Sequence, residues 1–126
     1  MIIKYVGLIC SEEENADKFY KEVLGLRKME PRTLPAALSK DIFNVDSELT
    51  MINYLNDEIH FEIFIHDQVK NTTEIIEHIC LEVDDRKNFI NRCESLGVRF
   101  NKIQKEEKTL VFIWDFDNHL FEIKEK

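Results

Sequence analysis

One sequence pattern occurs twice in this chain. Residues 2–10 (IIKYVGLIC) and 77–83 (EHICLEV) both read as strands, rich in β-branched and apolar residues. Each leads into a helix signal. After the first, Ser11 and Glu14 make an S-x-x-E capping box, Ala16, Phe19, Tyr20 and Val23 recur at helical spacing, and Gly25 supplies the stop. After the second, Asp84 or Asp85 caps, Phe89, Cys93 and Leu96 form the buried face, and Gly97 ends the helix. Aligning the copies pairs Tyr5 with His78, 73 positions on, and Gly25 with Gly97, 72 positions on. Each copy closes on a strand carrying Glu followed by Ile: HFEIFI at 60–65 and HLFEIK at 119–124. A self-similar period of this length predicts a duplicated supersecondary module. The expected organisation is one α+β domain over 1–126, with a βαβββ module over about 1–68 and a second over about 74–126.

The copies differ in the middle. Tyr5 to Glu62 is 57 positions, whereas His78 to Glu122 is 44. The 13 extra residues fall around 35–47, where PAALSKDIF predicts a short helix with Pro35 at its first position and Leu38, Ile42 and Phe43 as its apolar contacts. A strand over 49–55 follows, and Asn56–Asp57 turns the chain into a strand over 59–66 that contains HFEIFI. In the second module, strands near 98–104 and 109–114 precede an Asp117–Asn118 turn and the last strand.

Strand alternation sorts the side chains into faces. Ile79, Leu81 and Val83 form an apolar set that belongs under the helix, so His78, Cys80 and Glu82 point the other way. By the same argument Val6 and Leu8 face the helix, while Tyr5, Gly7 and Ile9 oppose them. Phe61, Ile63 and Ile65 leave His60, Glu62 and Phe64 on the far face; Phe121 and Ile123 leave Leu120, Glu122 and Lys124. Tyr5, Glu62, His78 and Glu122 are thereby expected to line a cavity on the face away from the helices. His60, Phe64 and Cys80 join them as candidate pocket residues, and the helix after Pro35 is expected to cover the cavity mouth or, on the plainer reading, to pack against a neighbouring subunit.

Composition narrows the function classes. The net charge of −8, with basic residues scattered, offers no stripe to neutralise phosphates, so no nucleic-acid partner is expected. Cys10, Cys80 and Cys93 are odd in number and lack CxxC spacing, which fits neither a disulfide framework nor a zinc knuckle. No apolar run suits a signal peptide or approaches the roughly 20 residues of a membrane span, so a soluble, reduced, cytoplasmic protein is expected, with no membrane partner.

Three stretches in order resemble the vicinal oxygen chelate superfamily, which includes glyoxalase I, bleomycin-binding proteins, fosfomycin-resistance transferases and extradiol dioxygenases. ADKFYKEVLGL is similar to its first-helix signature, EHICLEVDD to the strand opening the second module, and IWDFDNHLFEI to the closing D-P-D-G-N-x-x-E strand. In the last, Phe116 stands for the Pro and Asn118 for the Gly. The resemblance spans essentially the whole chain. It implies two βαβββ modules curled into a half-open mixed β-barrel, with helices outside and a cavity inside. It further implies a divalent metal (zinc, nickel, manganese or iron) held by Glu62, His78 and Glu122, with Glu62 and Glu122 also in catalytic roles, and a homodimer. The fourth ligand position is usually His or Gln and here is Tyr5. A phenol, with its reference pKa of about 10, ligates well only if the metal removes its proton, so Tyr5 reads as a pocket wall before a ligand.

The function implied is a metal-dependent lyase or isomerase of the lactoylglutathione lyase-like kind, acting on a small oxygenated substrate. The alternative is a metal-free, antibiotic-type small-molecule binder of the same fold, with Tyr5 in an aromatic-lined groove. Each residue also has a plainer reading. His78 is a satisfied core histidine, the two glutamates are solvated in a wide wet cavity, and Cys80 is filler. His60, His66 and His119 sit near strand ends and are expected at the surface.

Overall fold

The structure, a computed structural model, describes residues 2–67 and 77–126. The chain divides into two compact units, Met1–Val69 and Lys70–Lys126.

Unit 1 runs β1 (Val6–Cys10), α1 (Glu13–Ala16), a π-helical segment (Asp17–Val23), β2 (Arg27–Lys28), β3 (Arg32–Leu34), α2 (Ala36–Phe43), β4 (Leu49–Leu55) and β5 (His60–Ile65). Its sheet has the order β1-β5-β4-β2, with β3 also on β4. β1 lies parallel to β5, and β4 antiparallel to β5. Parallel pairing requires a crossover, and the first helix supplies it along with its apolar face. Ala16, Phe19, Tyr20 and Val23 are all buried, and they meet Leu26, Ile52, Tyr54, Phe61 and Ile63 in the unit's core. Tyr20 packs against both Tyr54 and Phe61, with ring centroids 5.6 and 5.2 Å away.

Four expectations in this unit are corrected. The first strand begins at Val6, not at residue 2, because its ladder with β5 starts at Val6 opposite Phe61; Ile2 and Ile3 precede it and are exposed. The capping box does not form: the helix starts at Glu13 after Glu12, and Ser11 Oγ instead accepts from Asn15 Nδ2 at 3.1 Å. The helix then widens, with Leu24 N–H bonded to the Phe19 carbonyl, five residues back. In α2, Pro35 sits just before the first helical residue, and only Ser39 is buried. Leu38, Ile42 and Phe43, expected as its packing contacts, are 48%, 60% and 46% exposed.

Unit 2 repeats the plan without the insertion: β6 (Ile79–Val83), α3 (Arg86–Ser95), β7 (Phe100–Lys105), β8 (Lys108–Trp114) and β9 (Leu120–Glu125). The strand order is β6-β9-β8-β7, with β6 parallel to β9. Asp85 caps α3, accepting from Asn88 N–H at 2.8 Å. Phe89, Ile90 and Cys93 are buried against Val111, Ile113, Phe121 and Ile123 in this unit's core; Leu96, expected among them, is half-buried at the C-cap. Gly97 takes φ +72°, as Gly25 takes +71°, conformations that favour glycine at helix ends. The fold is α+β, built from two βαβββ units whose first and last strands pair in parallel.

Candidate functional site

Register places the four candidates more firmly than alternation does. On the parallel pair of unit 1, Gly7 stands opposite Glu62; on that of unit 2, Cys80 stands opposite Glu122. Tyr5 precedes Gly7 by two residues, as His78 precedes Cys80. Within their own units, Tyr5 therefore bears the same relation to Glu62 that His78 bears to Glu122.

Unit 1 contains an open cavity of about 440 Å³ on this face. Tyr5, Gly7, Ile9, Glu62 and Phe64 line it, the alternate set expected from the strands. Leu8, assigned to the other face, also reaches the lining. Glu62 is half-buried there. His60 stands beside the cavity lining: its ring lies 5.5 Å from that of Tyr5, and its Nε2–H donates to Asn53 Oδ1 at 2.7 Å. One contributor escaped the sequence reading. His66, expected at the surface, lines the cavity, and the signal was present: residues 62, 64 and 66 alternate onto one face. Helix α2, expected over the cavity mouth, does reach the cavity: its Ile42 and Phe43 form one wall, with Phe43 edge-on to Phe64 at 5.0 Å.

In unit 2, His78 and Glu122 meet. Nε2 of His78 lies 3.6 Å from Oε2 of Glu122, and Lys124 Nζ lies 3.9 Å from the other carboxylate oxygen. Phe112, opposite Glu122 in register, sets its ring edge toward His78 at 6.5 Å. The Glu122 side chain is 15% exposed and that of His78 47%. Cys80 is exposed, whereas burial pushes the Cys93 thiol up to about 11 and keeps it unreactive. A second cavity, about 410 Å³, lies between α3 and the sheet among Arg86, Ile90, Lys102 and Val111, and has neither His78 nor Glu122 in its lining.

A separation of 3.6 Å is beyond a normal hydrogen bond. It is within the span of two donors each about 2.0–2.2 Å from one ion. An imidazole nitrogen and a carboxylate oxygen also suit a first-row divalent cation, so the pair fits as part of a metal's donor set. Among the described residues no group of three or more His, Cys, Asp or Glu side chains is gathered as a metal site.

His119 is not a simple surface residue as expected. Its Nδ1–H donates to Asp115 Oδ2 at 2.7 Å, while Asp115 Oδ1 accepts the backbone N–H of both Asp117 and His119. Burial works against the imidazolium, but the hydrogen bond and charge of Asp115, with Asp117 and Glu77 beyond it, raise the His119 pKa overall. This clamp shapes the turn that delivers β9, and with it Glu122.

Comparison with known proteins agrees with this layout. The model of the Glyoxalase/Bleomycin resistance protein/Dioxygenase superfamily matches residues 2–123. Among solved structures, a glyoxalase family protein from Enterococcus faecalis superposes with TM-score 0.75 at 19% identity, covering 97% of this chain and 95% of that one. The fosfomycin resistance protein FosX from Listeria monocytogenes gives TM-score 0.74 at 16% identity, covering 100% and 93%. A FosX mutant from the same organism, complexed with Mn(II) and 1S,2S-dihydroxypropylphosphonic acid, gives 0.74 at 19%, covering 98% and 93%. No curated protein matches significantly. The chain belongs to the glyoxalase/bleomycin resistance protein/dioxygenase superfamily.

Proposed function

We propose that this protein is a metal-dependent lyase or isomerase acting on a small oxygenated substrate. His78 and Glu122 would hold a divalent ion, and Glu62, the matching carboxylate of unit 1, would complete the set. The observation that carries this reading is the His78–Glu122 pair, 3.6 Å apart on a face where strand register repeats the Glu62 position. The Mn(II) complex of the FosX mutant supports it by likeness of fold. Such an ion, when bound, supplies Lewis acidity to a substrate oxygen.

The chain's own residues have separable tasks. Lys124 stands near one Glu122 oxygen, and the other is the one nearer His78. Glu62, half-buried in a lining that includes Tyr5, Phe64 and Ile9, would accept a proton from a carbon acid bound in the cavity. The apolar walls limit water around that proton. The resemblance also extends to a homodimer, which sedimentation at micromolar concentration checks.

The test is thermal melting of chelator-stripped protein titrated with Mn(II), Ni(II), Zn(II) and Fe(II). At least one ion is expected to raise Tm, and Glu122→Gln is expected to abolish that response. No stabilisation by any of the four overturns the reading. The alternative, a metal-free small-molecule binder, draws on Tyr5, an aromatic residue at the cavity of unit 1 where the family's first-strand ligand usually stands.

A further inference from the structure

The sheet face of unit 2 that carries His78 and Glu122 continues past them. Phe112 stands opposite Glu122 and Trp114 opposite Leu120, and cross-strand partners share a face, so both aromatic residues lie on the side of the donor pair. The intervening Val111 and Ile113 are buried on the other side. Trp114 is therefore the diagonal neighbour of Glu122, with side-chain roots about 7–8 Å apart. Phe112 and Trp114 are only half-buried, so each keeps part of its surface open to a ligand.

A cation stands on the second of these rings. The guanidinium carbon of Arg99 lies 4.1 Å from the centroid of the Trp114 ring, and the Arg99 carbonyl accepts the Trp114 backbone N–H at 3.0 Å. Stacking on an aromatic face holds a guanidinium flat and leaves its N–H edge able to take both oxygens of a carboxylate. Among the described residues no carboxylate forms an ion pair with Arg99. Lys124, another cation of this face, is already matched, since it lies 3.9 Å from Glu122 and stands opposite Glu82 in register. In a chain of net charge −8, an arginine without an acidic partner, fixed on a ring beside the donor pair, is placed for an anion that arrives from solution.

We infer that Arg99 is a substrate-binding residue and that the substrate is a carboxylic acid with a second oxygen function. The substrate presents that second oxygen to the ion at His78 and Glu122, lays its body along Phe112 and Trp114, and sets its carboxylate on the guanidinium edge. A monoanion suits the face better than a dianion, because Glu82 and Glu122 share it with Arg99 and repel each added negative charge. The inference deepens the functional reading above by naming the substrate class, and it rests on that reading for the ion.

The test uses protein loaded with the divalent ion that most raises its Tm, and two probes of one shape, with binding followed by calorimetry. The first is 4-(carboxymethyl)benzohydroxamic acid, and the second carries a primary amide in place of the carboxylate. The hydroxamate of either probe takes the ion, so only the far end differs. The acid is expected to bind at least about tenfold more tightly than the amide, a difference of about 1.4 kcal/mol, against the repulsion of the protein's net charge. Arg99→Gln is expected to close that gap by weakening the acid, and to leave the rise of Tm on adding the ion unchanged, which separates the pull of Arg99 from that of the ion. Trp114→Leu, which removes the stacking ring, is expected to narrow the gap. Arg99 is exposed, so Arg99→Gln should fold, and melting curves check both variants. Equal affinity for the two probes, a preference for the amide, or a gap that Arg99→Gln leaves intact overturns the inference while the ion response stands. So does a failure of both probes to bind the ion-loaded protein saturably. Absence of any ion response, seen before a probe is added, overturns the functional reading itself and takes the inference with it.

Discussion

Asp115 shows how much one buried carboxylate can organise. It is 5% exposed, and the hydrogen bonds it receives include two from backbone N–H groups of the turn and a third from the His119 ring. The backbone bonds need only the carboxylate, but the third gains strength when the imidazole is charged. Because the folded His119 pKa is raised above its ordinary 6.5, the extra stabilisation is complete below that value and is lost as pH climbs through the folded pKa. Urea unfolding of wild type and His119→Gln between pH 5.5 and 9 should show a stability gap that is widest in acid and shrinks with rising pH. A gap independent of pH would exclude this role. Asp17 has a comparable position in unit 1, accepting from Tyr54 Oη at 2.7 Å and pairing with Lys28 Nζ at 3.0 Å. Burial and the adjacent Asp17 raise the Tyr54 pKa, so its hydroxyl stays protonated and acts as a donor. Asp17→Ala strands that buried hydroxyl, and a loss of about 1–3 kcal/mol in denaturant unfolding is expected, most of it from the Tyr54 bond, since the Lys28 pair is partly solvated.

At the scale of elements, what was legible in the sequence is what local chemistry decides. Strand β4 has its expected bounds, β5 is one residue shorter at each end than expected, and the helix stops at Gly25 and Gly97 have the positive φ the sequence called for. The strand faces survive as well, because one misassigned residue would have put Glu62 or Glu122 in the core. Features decided by partners distant in the chain were not legible. The two-residue β2 and three-residue β3 exist because β4 offers them hydrogen-bonding edges. Periodicity at 3.6 residues already puts Phe19, Tyr20 and Val23 on one face, and it does not announce the π-helical widening over Asp17–Val23. Helix α2 was legible as a helix and as a cover for the cavity mouth, but the degree to which its Ile42 and Phe43 stay open there was not. The β7–β8 hairpin hides another local cost, since Glu106 sits at φ +57° without being glycine. Glu106→Gly should therefore raise stability by about 0.5–1 kcal/mol, read from the urea midpoint at unchanged m-value.

At the scale of the whole molecule, duplication distributes the candidate donors unevenly. Unit 2 carries an imidazole and a carboxylate in contact range, and unit 1 carries a carboxylate with a phenol at the imidazole's register position. The candidate site was legible as far as these positions, because alternation and the repeat fix them; the donor that sequence could not settle was Tyr5. Its chemistry supplies a direct test of whether unit 1 takes part in metal binding. A neutral imidazole is a better divalent-ion donor than a phenol that must first lose a proton with a reference pKa of about 10. If Glu62 belongs to the donor set, Tyr5→His adds a nitrogen beside it, and ion affinity should rise by about tenfold or more, measured by competition with a chromophoric chelator. The gain should disappear when Glu62→Gln is combined with Tyr5→His, and the wild-type pH dependence of binding should weaken in Tyr5→His as the phenol's proton no longer competes. If Tyr5→His leaves affinity unchanged while Glu122→Gln abolishes it, unit 1 supplies only the cavity, and the metal chemistry belongs to His78 and Glu122.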